Sequence, residues 1–378
     1  MFNKIIKEIL RPPNFIFFSS SKIINIYHPN NFKLLVLLDI PKQIILWTLK
    51  FFKIFKYLKF SQVQKIPFNY LFKAVILNNF SLIETAFWYK NNIRSWDKLT
   101  ELKPEYLTKS IHYQSRLNWP RQCIDSIKIL HDKTKLYSYT PSELRPKFFV
   151  IDNKFDFTKI PIEKYLNEYG LILKPINGSR GINTFHIFKR DKNLIIKTLF
   201  YSNVEKIFEF NNLNHCIKNI KLFINMKRIK TKLLVMPYLN NSSFLPKTYP
   251  SIIFRTITSC SLNNKQIRIK EAWMELFDKK NNLYFVSHEK LLYSLHSPLK
   301  KLRDLEKELE FSFNKKELKN IYKELFRNSI KMHSLLPPIN QVAWDWIQTN
   351  SNLYLLEGNS GFSFFPLKYF QKNKKKIY

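Results

Sequence analysis

The sequence predicts an α+β fold, a helical first third followed by two α+β units. Three observations carry this reading. From Leu171 onward, apolar runs of strand length recur between polar or turn-forming stretches. One strongly periodic helical segment, Lys315 to Met332, separates two groups of those runs. All five glycines fall in two short clusters, Gly170 with Gly178 and Gly181, and Gly358 with Gly361. At the usual ~7% usage a chain of this length would carry about 26. Glycine is kept where the backbone needs positive φ or close approach to a ligand.

In order, residues 1–130 are aromatic, basic and helix-like, and carry no catalytic signature. Gln43 to Phe60 reads as a helix with Lys50, Lys53, Lys56 and Lys59. A spacing of three drifts about 60° per step on a 3.6-residue helix, so these lysines spread over half the circumference. Two readings stand side by side: an interfacial helix in peripheral contact with a membrane, or a helix packed on the protein with its lysines snorkelling outward. No run reaches the ~18 apolar residues that span a bilayer, because Asp39, Pro41 and Lys42 break Leu34–Leu38. No cleavage site marks a signal peptide. The localisation expected is cytoplasmic, with the inner face of the membrane as its one variant.

Tyr137 to Pro146 reads as a loop. Ile160 to Tyr169 reads as a short helix opened by Pro161. Leu171 to Pro175 is a strand that runs into the glycine loop, and Ile182 to Lys189 returns from it as a hairpin-like partner. Lys232 to Leu239, Ser251 to Cys260 and Gln266 to Phe277 are further strands. The helix from Lys315 opens on Asn314 and Glu317, a capping box. It buries Leu318, Ile321, Tyr322, Leu325 and Phe326. Gln341 to Gln348 and Asn352 to Glu357 read as two closing strands, and Gln371 to Tyr378 as a loose basic tail.

The 378 residues carry a net charge of +35 at pH 7. Such a field attracts nucleic acid or anionic lipid. The same excess of Lys, Asn, Ile and Phe over Gly and Ala is what a very AT-rich genome encodes, so the charge says little about partners. Three cysteines, widely spaced, do not make a disulfide framework and fit a reducing compartment. The eight histidines form no HxxxH or HExxH pair, which argues against a zinc site.

The chemistry-bearing residues lie in the last two thirds. Asp345 sits in Val342-Ala-Trp-Asp-Trp346, and Glu357 and Asn359 follow on the next strand. Alternation turns Asp345 away from Trp344 and Trp346. If the two strands pair, Asp345 and Glu357 face one pocket. Oxygen donors of this kind suit Mg²⁺. Lys174 ends an apolar strand, and Asn177-Gly-Ser-Arg-Gly181 offers backbone N–H groups, a hydroxyl and a guanidinium to phosphate oxygens. It is not a P-loop, because a strand follows it. Arg255 stands in an otherwise uncharged strand. It reads either as an anion ligand for a transferring phosphoryl group or as a strand arginine that pairs with a nearby carboxylate or reaches solvent.

The order Lys174-Pro-x-x-Gly-Ser-x-Gly181, Val235-x-Pro-x-Leu239, Arg255-Thr-x-Thr258 and Trp344-Asp-x(11)-Glu-Gly-Asn359 resembles the ATP-grasp superfamily over roughly residues 130–370. More narrowly it resembles the sugar-transfer-associated and glutamate-ligase-related branch. The resemblance implies two subdomains that clasp ATP. Residues 131–240 would form the first, with the glycine loop, and residues 241–370 the second, with the metal site. Residues 1–130 would be a separate helical region and residues 371–378 a basic tail. It implies that Lys174 contacts the α- and β-phosphates and that Asn177, Gly178, Ser179, Arg180 and Gly181 close over the β- and γ-phosphates. Val235, Met236, Tyr238 and Leu239 would form the adenine hinge. Arg255 would meet the γ-phosphate or an acyl phosphate. Asp345, Glu357 and Asn359 would hold two Mg²⁺ ions, with Glu357 bridging them. Asp132-Lys133 is similar to a dipeptide whose lysine reaches ATP.

Two departures stand out. Met236 occupies the hinge position where Gln or Glu is expected. The segment from Gln266 to Lys290 has no glycine, and Arg268, Lys270 and His288 are the candidate replacements there. The activity implied is ATP-dependent ligation of a carboxylate to an amine or another nucleophile through an acyl phosphate, in building a surface polysaccharide or envelope component. The substrates would be small-molecule or glycan-linked carboxylates and nucleophiles, with no specific nucleic acid. The alternative is a basic binding protein for nucleic acid or anionic membrane on a degenerate nucleotide fold. A binding protein has no need of Asp345 with Glu357 and Asn359.

Overall fold

A computed structural model describes residues 66–72, 74, 85, 89, 122–151, 166, 170–177, 184–200, 203–226, 232–247, 251–261, 265–277, 283–289, 292–294 and 302–361. The chain divides into two compact units. One takes Met1–Asn118, Ser297–Leu299 and Ser363–Tyr378. Its described part includes a single helical turn, Phe68–Leu71, and an edge contact between the rings of Tyr70 and Tyr89 at 5.1 Å. The other unit, Trp119–His296 with Lys300–Phe362, holds both sheets that the described residues form. No helix among the described residues is long and apolar enough to cross a membrane. The predicted helix 43–60 and the tail 371–378 lie outside the described residues.

The larger unit opens with two consecutive helices, α1 (Cys123–His131) and α2 (Lys133–Tyr139). Asp132 divides them. Its extended backbone ends the first helix, and its carboxylate accepts from the N–H groups of Thr134 and Lys135 to cap the second. Tyr137 therefore belongs to the last turn of a helix, not to the predicted loop, which begins beyond Tyr139. The cap was legible only as an Asp ahead of a polar segment without helical apolar spacing.

The first sheet runs in the order β1 (Phe149–Ile151), β6 (Leu233–Pro237), β2 (Leu171–Pro175), β3 (Thr184–Arg190), β4 (Asn193–Phe200), β5 (Asn203–Phe210), with every pairing antiparallel. One face packs Leu171, Leu173, Phe185, Ile187, Ile196 and Val235 against Cys216 and Ile220 of α3 (Leu213–Met226). The other turns Lys174, Ile172, Leu234 and Met236 the opposite way. Gly170, at φ +93°, opens β2 where a Cβ would lie 2.2 Å from the Ile187 carbonyl. The predicted hairpin of β2 and β3 is present. Of the predicted helix 160–169 only Leu166 is described; it is helical and buried.

The second sheet runs β10 (Leu292–Ser294), β9 (Leu283–Ser287), β8 (Ile267–Phe277), β7 (Ile253–Cys260), β11 (Gln341–Gln348), β12 (Leu353–Asn359), again antiparallel throughout. Its inner face carries Phe254, Met274, Val342, Trp344, Trp346 and Leu355. Against it lie α4 (Leu302–Leu309) and α5 (Lys315–Leu335), with Ile321, Tyr322, Leu325 and Met332 of α5 buried. Polar pins fix that contact. Trp346 Nε1 donates to Ser329 Oγ at 3.0 Å, and Trp344 Nε1 donates to Thr258 Oγ1 at 2.8 Å. His333 lies between Thr258 and the Ile339 carbonyl. Asn314 caps α5 as expected, accepting from Lys316 and Glu317. The helix runs one turn past Met332, and β12 continues through Glu357 to Asn359.

The α+β expectation is borne out. The extra β4–β5 hairpin, α3, β9 and α4 were not foreseen. β4, β5 and α3 interrupt their apolar residues with Lys, Glu, Asn or His, α4 is short and mostly charged, and β9 is a short run, Leu283–Ser287.

Candidate active site

Cross-strand register builds the site. Asp345 on β11 pairs with Glu357 on β12 and, on its other side, with Arg255 on β7, which in turn pairs with Trp273 on β8. Directly opposite residues share a face, so one row across four strands carries Trp273, Arg255, Asp345 and Glu357 on the face opposite the tryptophan core. Asn359, two residues beyond Glu357, joins the same face.

The side chains meet as the register dictates. Arg255 grips Asp345 with two parallel bonds, Nε to Oδ1 at 2.5 Å and Nη2 to Oδ2 at 2.6 Å, the bidentate geometry of a strong guanidinium–carboxylate pair. Its third nitrogen, Nη1, lies 3.1 Å from Glu275 Oε1. Asn359 Nδ2 is 3.0 Å from Glu357 Oε1 and 3.4 Å from Asp345 Oδ2, so one amide spans both carboxylates. Of the readings offered for Arg255 from sequence, the carboxylate pairing is present. The arginine is carboxylate-paired, and it stands in the predicted cluster.

Two lysines come to this row from elsewhere. Lys133, at the start of α2, places Nζ 3.5 Å from Glu357 Oε2 and is buried. Its backbone N–H bonds the Ile176 carbonyl, which ties α2 to the end of β2. Lys174, from β2, points Nζ at the Leu356 carbonyl at 3.5 Å. Tyr137 Oη donates to the same carbonyl at 3.0 Å. That carbonyl is available because the β11–β12 register shifts after Asp345: Glu357 pairs with Asp345 and Leu355 with Trp346, leaving Leu356 unmatched. Such a bulge re-aims groups beside functional sites.

Burial and charge divide the protonation behaviour. Burial raises the Asp345 carboxyl, against the pull of Arg255, with Glu357 and Glu275 adding to the rise. Burial acts the same way on Glu357. There Lys133 and Lys174, with the Asn359 hydrogen bond and Arg255, overcome it and hold the carboxyl below its ordinary range. Burial and the neighbouring Lys133 push Lys174 down to about 8, opposed by Glu357 and Asp345. Burial disfavours the Arg255 cation, but Asp345 and Glu275 more than offset it and keep the guanidinium charged.

On its Lys174 side, the first sheet carries a small apolar cluster. Tyr137, Ile176, Leu234 and Met236 are buried there, with Ile172, Leu239 and Leu356 partly covered. Met236 serves this cluster as a hydrophobe. Val235 faces the other way, into the α3 core, so only its backbone can meet a ligand on the Lys174 side. Tyr238 bonds the Gly170 carbonyl through its N–H at 2.9 Å and stacks its ring on His186 at 4.1 Å.

Not every sequence candidate arrives. Arg268 is exposed and bonded to Gln266. It lies five residues along β8 from the partner of Arg255, roughly 16 Å at strand rise. His288 pairs with Glu271 at 3.1 Å and touches the rings of Tyr322 and Phe326 on α5, behind the sheet. Lys270 is exposed. None of the three joins the cluster. Asn177 is described and exposed, while Gly178, Ser179, Arg180 and Gly181 lie outside the described residues. Sequence reasoning missed Glu275, Tyr137 and the Leu356 carbonyl. Glu275 carries no motif, and its role appears only through its register with β7.

The donor set can be tested against a divalent cation. Among the described residues no three His, Cys, Asp or Glu side chains gather as a metal site. Two carboxylates and one amide do converge, at Asp345 Oδ2, Glu357 Oε1 and the Asn359 amide, with Asp345 Oδ2 also accepting from Arg255 Nη2. Turning the Asn359 amide over presents its oxygen where its nitrogen now lies. Three oxygens then face one point, an arrangement that suits Mg²⁺, which commonly takes one or two carboxylates and fills its shell with water and phosphate.

No protein-family model matches the chain. No curated protein matches it either. Among solved structures it is similar to the D-alanine–D-alanine ligase of Bacillus anthracis complexed with ATP, at 10% identity and TM-score 0.36, covering 66% of this chain and 62% of that one. The D-alanine–D-alanine ligase of Coxiella burnetii matches at 10% identity and TM-score 0.37, covering 66% and 54%. A second structure of the Bacillus anthracis enzyme matches at 11% identity and TM-score 0.35, covering 66% and 63%. The chain thus spans under two thirds of the length of these ligases.

Proposed function

We propose that the chain is an ATP-grasp ligase that joins a carboxylate to a nucleophile at the expense of ATP. The observation that supports this reading best is the row Arg255, Asp345, Glu357 and Asn359 on one sheet, met by Lys133 and Lys174 from outside it. Anionic and cationic groups alternate over a short span, as phosphoryl transfer requires of a site that neutralises charge as it moves.

In this reading the adenine ring enters the apolar cluster around Ile172, Met236, Leu239 and Leu356, gripped by backbone groups of the segment that ends β6. The glycine loop, Gly178 to Gly181, covers the phosphates with Asn177 beside it. Lys174 leaves the Leu356 carbonyl for the phosphate oxygens, and Lys133 stays between Glu357 and the nucleotide. Asp345, Glu357 and Asn359 hold Mg²⁺, two ions in the full complement, which supply charge neutralisation on the phosphates. Arg255 stabilises the transferring group.

The γ-phosphoryl group passes to the substrate carboxylate, releasing ADP and forming an acyl phosphate. A nucleophile then attacks the acyl carbon, and the carbon–oxygen bond to phosphate breaks. With an amine, carboxylate, ammonium and ATP become amide, ADP, inorganic phosphate and one proton. We place the reaction in surface polysaccharide or envelope assembly, inside the cell. ADP release measured over a matrix of carboxylates and nucleophiles with Mg-ATP tests the reading. Acceptor-dependent release that is lost in Glu357→Gln supports it. No acceptor-dependent release across the matrix, together with oligonucleotide binding that Mg-ATP does not displace, sinks it and favours the binding protein.

A further inference from the structure

We propose that Glu275 binds an ammonium group, so that the nucleophile taken by this site is a primary amine captured in its protonated form. The identity of the group as a nucleophile rests on the ligase reading; the cation site does not.

Glu275 pairs with Ile253 in the register that pairs Trp273 with Arg255. It therefore stands on the face that carries Arg255, Asp345 and Glu357. Its Oε1 is fully used, accepting from Trp273 Nε1 at 3.0 Å and facing Arg255 Nη1 at 3.1 Å. Its Oε2 makes no hydrogen bond to a described residue and is not among the sealed polar atoms, so it remains open. The side chain is only 17% exposed. A carboxylate fixed by two donors on one oxygen, with the other oxygen open, is a pre-oriented acceptor.

The neighbours decide the sign of the ligand. Arg255 is held by Asp345 through two nitrogens and by Glu275 through the third. An incoming anion at the Glu275 end meets a carboxylate, and the Arg255 nitrogen nearest it already faces Glu275 Oε1. A cation meets an unpaired lone-pair site. A metal is disfavoured there, because no group of acidic or His and Cys side chains completes its shell among the described residues. The flanks are hydrocarbon: Ile253 lies opposite on β7 and Phe285 opposite on β9. That combination fits an alkyl chain that ends in –NH₃⁺.

Trp273 supplies the reporter, since its indole N–H donates to Glu275. Protein carrying ¹⁵N-indole tryptophan, its peak assigned with Trp273→Phe, is titrated with propylammonium, with tetramethylammonium and with acetate at constant ionic strength. A saturable shift of the Trp273 peak with propylammonium alone, lost in Glu275→Gln, is expected. No saturable shift, an equal shift with tetramethylammonium (same charge, no N–H donor), or an unaltered shift in Glu275→Gln overturns the site. In turnover, Glu275→Gln should raise the KM for the amine roughly tenfold more than the KM for ATP, as loss of a charge-assisted bond does. Equal rises in both assign Glu275 to holding Arg255 and overturn the inference. ADP release with alcohols and not amines overturns it too, and leaves the ligase reading intact. The indole shift without ADP release from any pair ends the ligase reading and leaves the cation site standing.

Discussion

Tyr137 and Leu356, separated by 219 residues of chain, are joined by a 3.0 Å hydrogen bond from phenol to backbone carbonyl. The bond pins the bulge of β12 to α2, and so fixes Glu357 relative to Lys133. Tyr137→Phe removes the donor and leaves the carbonyl to Lys174 at 3.5 Å. A loss of about 1 kcal/mol is expected in urea unfolding, the usual net worth of one such bond. An unchanged midpoint and slope would mean that Lys174 satisfies the carbonyl alone.

Glu357→Gln should lower the rate of acceptor-dependent ADP release by about 100-fold or more, on the scale of losing one pre-placed charged group at a phosphoryl-transfer site. It also removes one anion from beside the buried Lys133 ammonium, at a cost of about 1–2 kcal/mol. The Glu357 carboxyl is held below its ordinary 4.5 in the fold. The stability it adds is therefore complete above that value, and disappears as pH falls through the lower folded value. Parent and variant melting temperatures should differ most near neutral pH and converge in acid.

Lys174 titrates near 8 in the fold and at 10.5 ordinarily. Between those values the unfolded chain keeps a proton that the folded chain has released, so this group makes stability rise with pH across the window. Lys174→Met should flatten that slope. Phosphates favour the charged form, so Mg-ATP binding above pH 8 takes up a proton. Calorimetry in buffers of different ionisation enthalpy should detect the uptake in the parent and not in Lys174→Arg.

A Cβ on Gly358 would lie 2.6 Å from Leu130 Cδ2 and 2.9 Å from the Trp344 ring. Leu130 can rotate, but Trp344 is wholly buried and bonded to Thr258. Gly358→Ala should cost about 1–3 kcal/mol as an overpacked core does, and should reduce turnover as well, because Glu357 and Asn359 flank it. Full activity at reduced stability would separate the core from the site.

The parts of the site that the sequence revealed are those set by strand alternation and by short motifs. Asp345, Glu357 and Asn359 were legible because one face of two adjacent strands is fixed by a period of two. Lys174 was legible as a charge that ends an apolar run. Glu275 and Tyr137 were hidden for a different reason. Their meaning depends on which strand lies beside which, and on a bulge at Leu356 that no local pattern announces. His288, a candidate replacement in the glycine-free segment, stands against Glu271 and the rings of Tyr322 and Phe326. The fold class was readable from alternating strands and one capped helix, whereas β4, β5 and α3, whose apolar residues are interrupted by Lys, Asn, Glu or His, went unread.

The row from Trp273 through Arg255 and Asp345 to Glu357 runs along the hydrogen-bonding direction of its sheet. Neighbouring strands are held ~4.8 Å apart by the peptide ladder, whatever side chains they bear. The pitch between the charges is thus a constant of the backbone. A substitution in this row can reverse a sign or shorten a reach, but it cannot move the next group closer. Chains of this architecture with other preferences should accordingly differ in the identity of residues at these register positions, and not in the lengths of the strands or the turns that join them.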